Sequence, residues 1–89
     1  MKTIWKFELT LHGAIEMPDG ANILTVQEQR GVPCIWAEVD TKAPMVKRYF
    51  DIYRTGHEMK VDMGVERKYI GTFQIQGGAL VFHVFERLN

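Results

Sequence analysis

Apolar and polar residues alternate with a period of two along most of this chain, so each such stretch reads as a half-buried β-strand. At the start, Thr3, Trp5, Phe7 and Leu9 share one face while Lys2, Ile4, Lys6 and Glu8 share the other. His12-Gly13 breaks the alternation, and residues 14–17 form a short second strand stopped by Pro18-Asp19-Gly20. Proline presets the first position of that turn and Asp-Gly supplies the later ones. Residues 22–29 and 32–39 predict two more strands, separated by Arg30-Gly31. That pair is a weaker hairpin signal than Asn-Gly, because positive φ is unfavourable for arginine, and a longer loop or a bulge is the expected remedy. Pro33 has no N–H to give a ladder and belongs at a strand start or on an edge. Ile35, Ala37 and Val39 lie on one face of their strand with Trp36 opposite, so the strand is either central or presents Trp36 to an interface. Residues 45–54 alternate again, with Val46, Phe50 and Ile52 against Lys47, Tyr49, Asp51 and Tyr53.

The strongest local signal is at the end. Tyr69-Ile-Gly-Thr-Phe-Gln-Ile-Gln76 and Ala79-Leu-Val-Phe-His-Val-Phe-Glu86 flank Gly77-Gly78, a pair free to take the positive φ angles of a tight hairpin. Register counting sets Ile75 opposite Leu80, Phe73 opposite Phe82 and Thr72 opposite His83. Tyr69, Phe73 and Ile75 then form one apolar face with Leu80, Phe82 and Val84. Six or seven short strands and no convincing helix predict an all-β domain, a small antiparallel sandwich or partly open barrel. No repeat, low-complexity tract or linker divides the chain, so a single domain is expected over residues 1–89.

Composition narrows the function classes. Eleven basic and eleven acidic residues leave no net charge, so no global field draws in a polyanion and nucleic acid is a disfavoured partner. Zero net charge and a modest core both favour self-association, and a homodimer or larger oligomer is expected. One cysteine, Cys34, allows no intrachain disulfide and no thiolate metal cage, and a reducing compartment fits. The first residues alternate where a secretory leader needs a continuous apolar run, and nothing approaches a membrane-spanning stretch. A cytoplasmic location with no membrane partner is the expectation.

The irregular stretch at 55–67 carries the chemistry-bearing candidates. His57 and Glu58, with Asp62 after them and Asp51 before, place an imidazole beside carboxylates, the ingredients of an acid–base pair or a divalent-metal site. The spacing matches no His-Glu-x-x-His, Gly-x-Ser-x-Gly or P-loop pattern, and no cofactor is implied. A solvated loop is the plainer reading. Lys47, Arg48, Tyr49, Tyr53 and Arg54 interleave basic and aromatic residues as a nucleotide-stacking strand does, but Arg48 and Arg54 fall on the face opposite the two tyrosines. His83, between Val81 and Phe85, reads as a half-buried, hydrogen-bonded histidine, and Trp36 as a core or interface anchor. The candidate binding residues are therefore Trp36, Arg48, Tyr49, Tyr53, Arg54 and His57.

The opening Met1-Lys-Thr-Ile-Trp-Lys-Phe-Glu-Leu9, the stretch Gly31-Val-Pro-Cys-Ile-Trp-Ala-Glu-Val39, Thr55-Gly-His57 and the terminal hairpin together resemble a family of short proteins from tailed bacteriophages and prophages. The family is of unknown function and supplies no catalytic residue. The resemblance implies an accessory protein that acts in the infected host cell. The function expected is non-enzymatic: binding a host protein, or sequestering a small molecule or nucleotide. The alternatives are a small enzyme or metal site using His57 with Glu58 or Asp51, and a structural accessory of the virion.

Overall fold

In the computed structural model, which describes residues 1–10, 13–59 and 63–89, seven strands form two antiparallel sheets. They are β1 (Lys2–Glu8), β2 (Ala14–Pro18), β3 (Asn22–Gln29), β4 (Val32–Asp40), β5 (Met45–Arg54), β6 (Arg67–Ile75) and β7 (Leu80–Arg87). Three strands in the order β1-β4-β3 face four in the order β2-β5-β7-β6. The result is the expected all-β class, a sandwich that does not close into a barrel, and no α-helix occurs among the described residues. The expected break at His12 and the candidate carboxylate Asp62 lie outside the described residues.

The core is the set of residues that alternation turns inward. Ile35, Ala37 and Val39 of the central strand β4 are essentially fully buried, as are Met17 of β2 and Val84 of β7. Phe7 of β1 packs against them opposite Ile35, while Trp5, opposite Ala37 on the same ladder, stays exposed. From the other sheet come Phe50 and a stacked Phe73–Phe82 pair with ring centroids 5.3 Å apart. Burying each of these large side chains contributes about 1.5–3 kcal/mol.

Both hairpins close tightly. Gly77 and Gly78 take φ of 65° and 95°, the Ala79 N–H donates to the Gln76 carbonyl, and Ile75, Phe73 and Thr72 pair with Leu80, Phe82 and His83 as the sequence predicts. Arg30 adopts φ of 54° ahead of Gly31, and Gln29 pairs directly with Val32. The turn is thus a two-residue one in spite of the unfavourable arginine, and the irregularity expected there sits instead inside β3, where the register shifts at Leu24.

One expectation is corrected. Tyr69 does not join the core face, because the β6–β7 register shifts between Tyr69 and Gly71 and Ile70 forms a bulge. A Cβ on Gly71 would lie 2.5 Å from the Val26 Cγ1, so only glycine lets β6 approach β3 this closely where the two sheets meet. Ile70 packs against the core next to that gap, and the extra residue turns Tyr69 to the outside.

Candidate functional site

Strands β5, β7 and β6 carry two unlike faces. On the inner face, Arg48 meets Glu86 in a two-pronged ion pair, Nε to Oε2 at 2.6 Å and Nη2 to Oε1 at 2.8 Å. Its remaining arm donates to the Ala21 carbonyl. Glu86 is buried at 7% exposure, so this pair ties β5 to β7 and to the start of β3, and Arg48 is committed to the fold.

On the outer face, the β5–β7–β6 pairing sets Asp51, Phe85 and Tyr69 in one row, and Tyr53, His83 and Thr72 in the next. Phe85 meets Tyr53 and Tyr69 edge-on, with centroids 5.8 and 5.4 Å away. The Arg67 guanidinium lies 5.9 Å from the centre of the Tyr53 ring, within range of a cation–π contact. Asp51 Oδ2 accepts from Arg67 Nε at 2.7 Å and Arg87 Nε at 2.8 Å. Burial alone would raise the Asp51 pKa, but the hydrogen bonds and charges of Arg87 and Arg67 outweigh it and hold the carboxyl below its ordinary value.

His83 is held at both ring nitrogens by hydroxyls from neighbouring strands. Nε2 lies 2.7 Å from Thr55 Oγ1 and Nδ1 lies 2.9 Å from Thr72 Oγ1, which is itself 2.6 Å from the Tyr69 hydroxyl. Thr55 Oγ1 also lies 3.3 Å from the Val81 carbonyl, to which only the hydroxyl can donate. For a neutral imidazole one proton arrangement satisfies every member: Tyr69 donates to Thr72, Thr72 to Nδ1, Nε2–H to Thr55, and Thr55 to Val81, which is the Nε2–H tautomer.

A hydroxyl against a histidine nitrogen resembles the first step of an acyl-transfer site, but the surroundings do not complete one. The Thr55 and His57 N–H groups already donate to the Val81 and Arg54 carbonyls, so neither is free to stabilise an oxyanion beside Thr55. No group of three or more His, Cys, Asp or Glu residues suited to a metal ion occurs among the described residues.

Above His83 lies a hollow of about 250 Å³ lined by Tyr53, Arg54, Thr55, Gly56, His57, Met59, Tyr69, His83 and Phe85. A second, of about 340 Å³, adjoins it through Tyr53 and is lined by Tyr49, Asp51 and Arg87 among others. Of the residues singled out in the sequence, Tyr53, Arg54 and His57 therefore share one hollow and Tyr49 lines its neighbour. Trp36 lies elsewhere, half-buried on the outward face of the other sheet between Lys6 and Thr25. Asp51 is engaged by arginines in the neighbouring hollow, and the exposed Glu58 lines neither, so the acid–base grouping with His57 is not assembled. His83 is the half-buried, hydrogen-bonded histidine that the sequence predicts, and Thr55, Tyr69 and Phe85 are the lining residues that sequence reasoning did not single out.

These features define a small antiparallel β-sandwich with a concave, aromatic and hydroxyl-lined outer sheet face. The chain belongs to a family described as a domain of unknown function, DUF7352, whose match spans residues 1–89. No curated protein and no solved structure matches the chain. No helix among the described residues is long and apolar enough to cross a membrane.

Proposed function

We propose that this protein is a non-enzymatic binding module that takes up a small molecule on the outer face of β5, β7 and β6. The observation carrying this reading is the convergence of Tyr53 and His57 with Tyr69, His83 and Phe85, from three strands and a loop, on one hollow. Aromatic edges, an imidazole and a hydroxyl in one concavity are the ordinary means of holding a small ligand in a fixed orientation. The hydrogen-bonded His83 is pre-oriented, so little side-chain freedom is lost when a ligand settles on it. In the accessory role that the phage resemblance implies, such a module acts by sequestering a molecule of the host, and a self-associated form presents several sites at once.

A thermal-shift screen of metabolites tests this directly. A ligand at about a hundred times its dissociation constant adds roughly 2.7 kcal/mol of stability, which appears as a rise in Tm of several degrees. The rise is expected to vanish in Tyr69→Ala and His57→Ala. Stabilisation that survives both substitutions moves the site elsewhere, and catalytic turnover lost in His57→Ala would instead support the enzyme reading. Detection of the protein in purified particles by mass spectrometry would support a structural role in the virion.

A further inference from the structure

The edges of the two sheets are not equally protected. β2 is five residues long and ends at Pro18, and β3 and β6 close against each other where Gly71 meets Val26. β1 is different: its seven residues pair with β4 on one side and, among the described residues, with no strand on the other. It holds no proline, and its pairing with β4 runs without a register shift. The Leu9 N–H donates to the Pro33 carbonyl and the Thr41 N–H to the Met1 carbonyl, each at 2.9 Å, so the odd-numbered residues of this stretch are the ones that bond to β4. Antiparallel ladders alternate sides, which turns the N–H and C=O groups of Lys2, Ile4, Lys6 and Glu8 to the open edge. Trp5 shares its face with the fully buried Ala37, yet at this margin of the sheet it is 37% exposed.

We infer that a second copy of this chain docks on the open edge of β1, antiparallel about a two-fold axis at Trp5, joining two three-stranded sheets into one. In this register the strand is complementary to its own reverse. Lys2 lies opposite Glu8 of the second copy, Glu8 opposite its Lys2, and Ile4 and Lys6 face one another. Trp5 meets its own counterpart at a non-hydrogen-bonded position, where side chains approach most closely, and the two indoles cover surface that each exposes alone. Moving the axis by one residue loses this: centred on Ile4, Lys2 opposes Lys6, and centred on Lys6, that lysine opposes itself. Lysines commonly guard a bare edge, but Lys6 reaches back across β4 to Gln29 Oε1 at 2.7 Å, and Lys2 has a carboxylate to meet. Zero net charge leaves no long-range repulsion between the copies. The edge belongs to the sheet opposite the hollow, so this interface stands or falls independently of the small-molecule reading.

Sedimentation of the full-length chain from micromolar to millimolar concentration, with tryptophan fluorescence followed on dilution, tests this. A monomer–dimer equilibrium is expected, with emission moving to the red as the dimer dissociates. Ile4→Pro removes an N–H that points to the open edge and spares the β1–β4 ladder, so it should give a monomer whose urea midpoint at low concentration stays near that of wild type. Lys2 and Glu8 are exposed, so variants there keep the fold even if Ile4→Pro disturbs the strand. Lys2→Glu and Glu8→Lys each set like charges opposite one another twice per dimer and should weaken association about tenfold, and the double variant Lys2→Glu with Glu8→Lys should restore it. A chain that is monomeric throughout overturns the second copy as the occupant of this edge. A dimer that survives Ile4→Pro and every charge variant lies on another face and overturns the proposal as well. Weakening by both single variants with no recovery in the double overturns the register centred on Trp5.

Discussion

The inner and outer faces of β5, β7 and β6 are built from alternate residues of the same strands, yet they use charge in opposite ways. Inside, Arg48 and Glu86 satisfy each other almost completely and the third guanidinium arm is taken by a backbone carbonyl. Outside, Asp51 is shared by Arg67 and Arg87, and His83 by two threonines. The difference teaches that basic residues interleaved with tyrosines are not one functional set. A single step along β5 separates Arg48, which holds the sheets together, from Tyr49, which lines the outer hollow beside Asp51.

The comparison breaks most visibly at Glu86. Glu86→Ala leaves Arg48 without its carboxylate in a mostly buried position, and is expected to cost about 3 kcal/mol in urea unfolding. Replacing both partners, as Arg48→Met with Glu86→Leu, should recover most of that loss, since a packed apolar pair carries no desolvation penalty. Recovery of nothing would mean that the pair holds β3 through the Ala21 carbonyl more than it holds β7.

Next in size is the seam between the sheets. Gly71→Ala drives a methyl into Val26, whose Cγ1 lies 2.5 Å from the new carbon, and overpacking of this kind costs about 2 kcal/mol. Adding Val26→Ala should return part of it, giving a coupling that two distant sites would not show. Strict additivity in this double-mutant cycle would contradict the close approach of β3 and β6.

The outer face carries a carboxylate whose arginine partners make stability depend on pH. The lowered Asp51 pKa means that the unfolded chain binds a proton more readily there, so its contribution to stability is fully present above about pH 4 and is lost as pH falls through the folded value. Asp51→Asn should cost about 1 kcal/mol at pH 7, the scale of a well-formed but partly exposed pair. The gap between wild type and variant should close on acidification. A gap that is constant from pH 7 to pH 3 would show that the cost of the substitution does not come from the ionised carboxylate.

Alternation made the fold legible, since period-two runs and glycine-bearing turns placed the strands and the register around Gly77-Gly78. It failed at Tyr69 because a bulge is a decision made by packing: Gly71 yields to Val26, Ile70 takes the inner place, and neither contact is local in sequence. The candidate site was legible only in part for the same reason. Tyr53, Arg54 and His57 are near in sequence and were visible as a cluster, but their partners Tyr69, His83 and Phe85 come from strands whose neighbours are fixed by sheet order. Arg48 was singled out by its type, while the inward parity of its position already argued for the structural role it has.

The smallest effect is also the most specific. Thr72→Val removes the hydroxyl that donates to His83 Nδ1 and accepts from Tyr69, at a surface where water can substitute, so the stability cost should be about 0.5 kcal/mol. The imidazole itself should register the change. With Thr72 in place, the Thr55–Val81 link holds the proton on Nε2, and the ¹⁵N signals of His83 should show one dominant neutral tautomer. In the variant, Nδ1 faces solvent while the Thr55–Val81 link still favours the proton on Nε2, so the Nδ1–H form should gain population without becoming the major one. If the ¹⁵N spectrum of the variant matches that of wild type, the Tyr69–Thr72–His83 relay does not orient the ring, and the pre-orientation argued for the hollow would have to come from packing against Tyr53 and Phe85 alone.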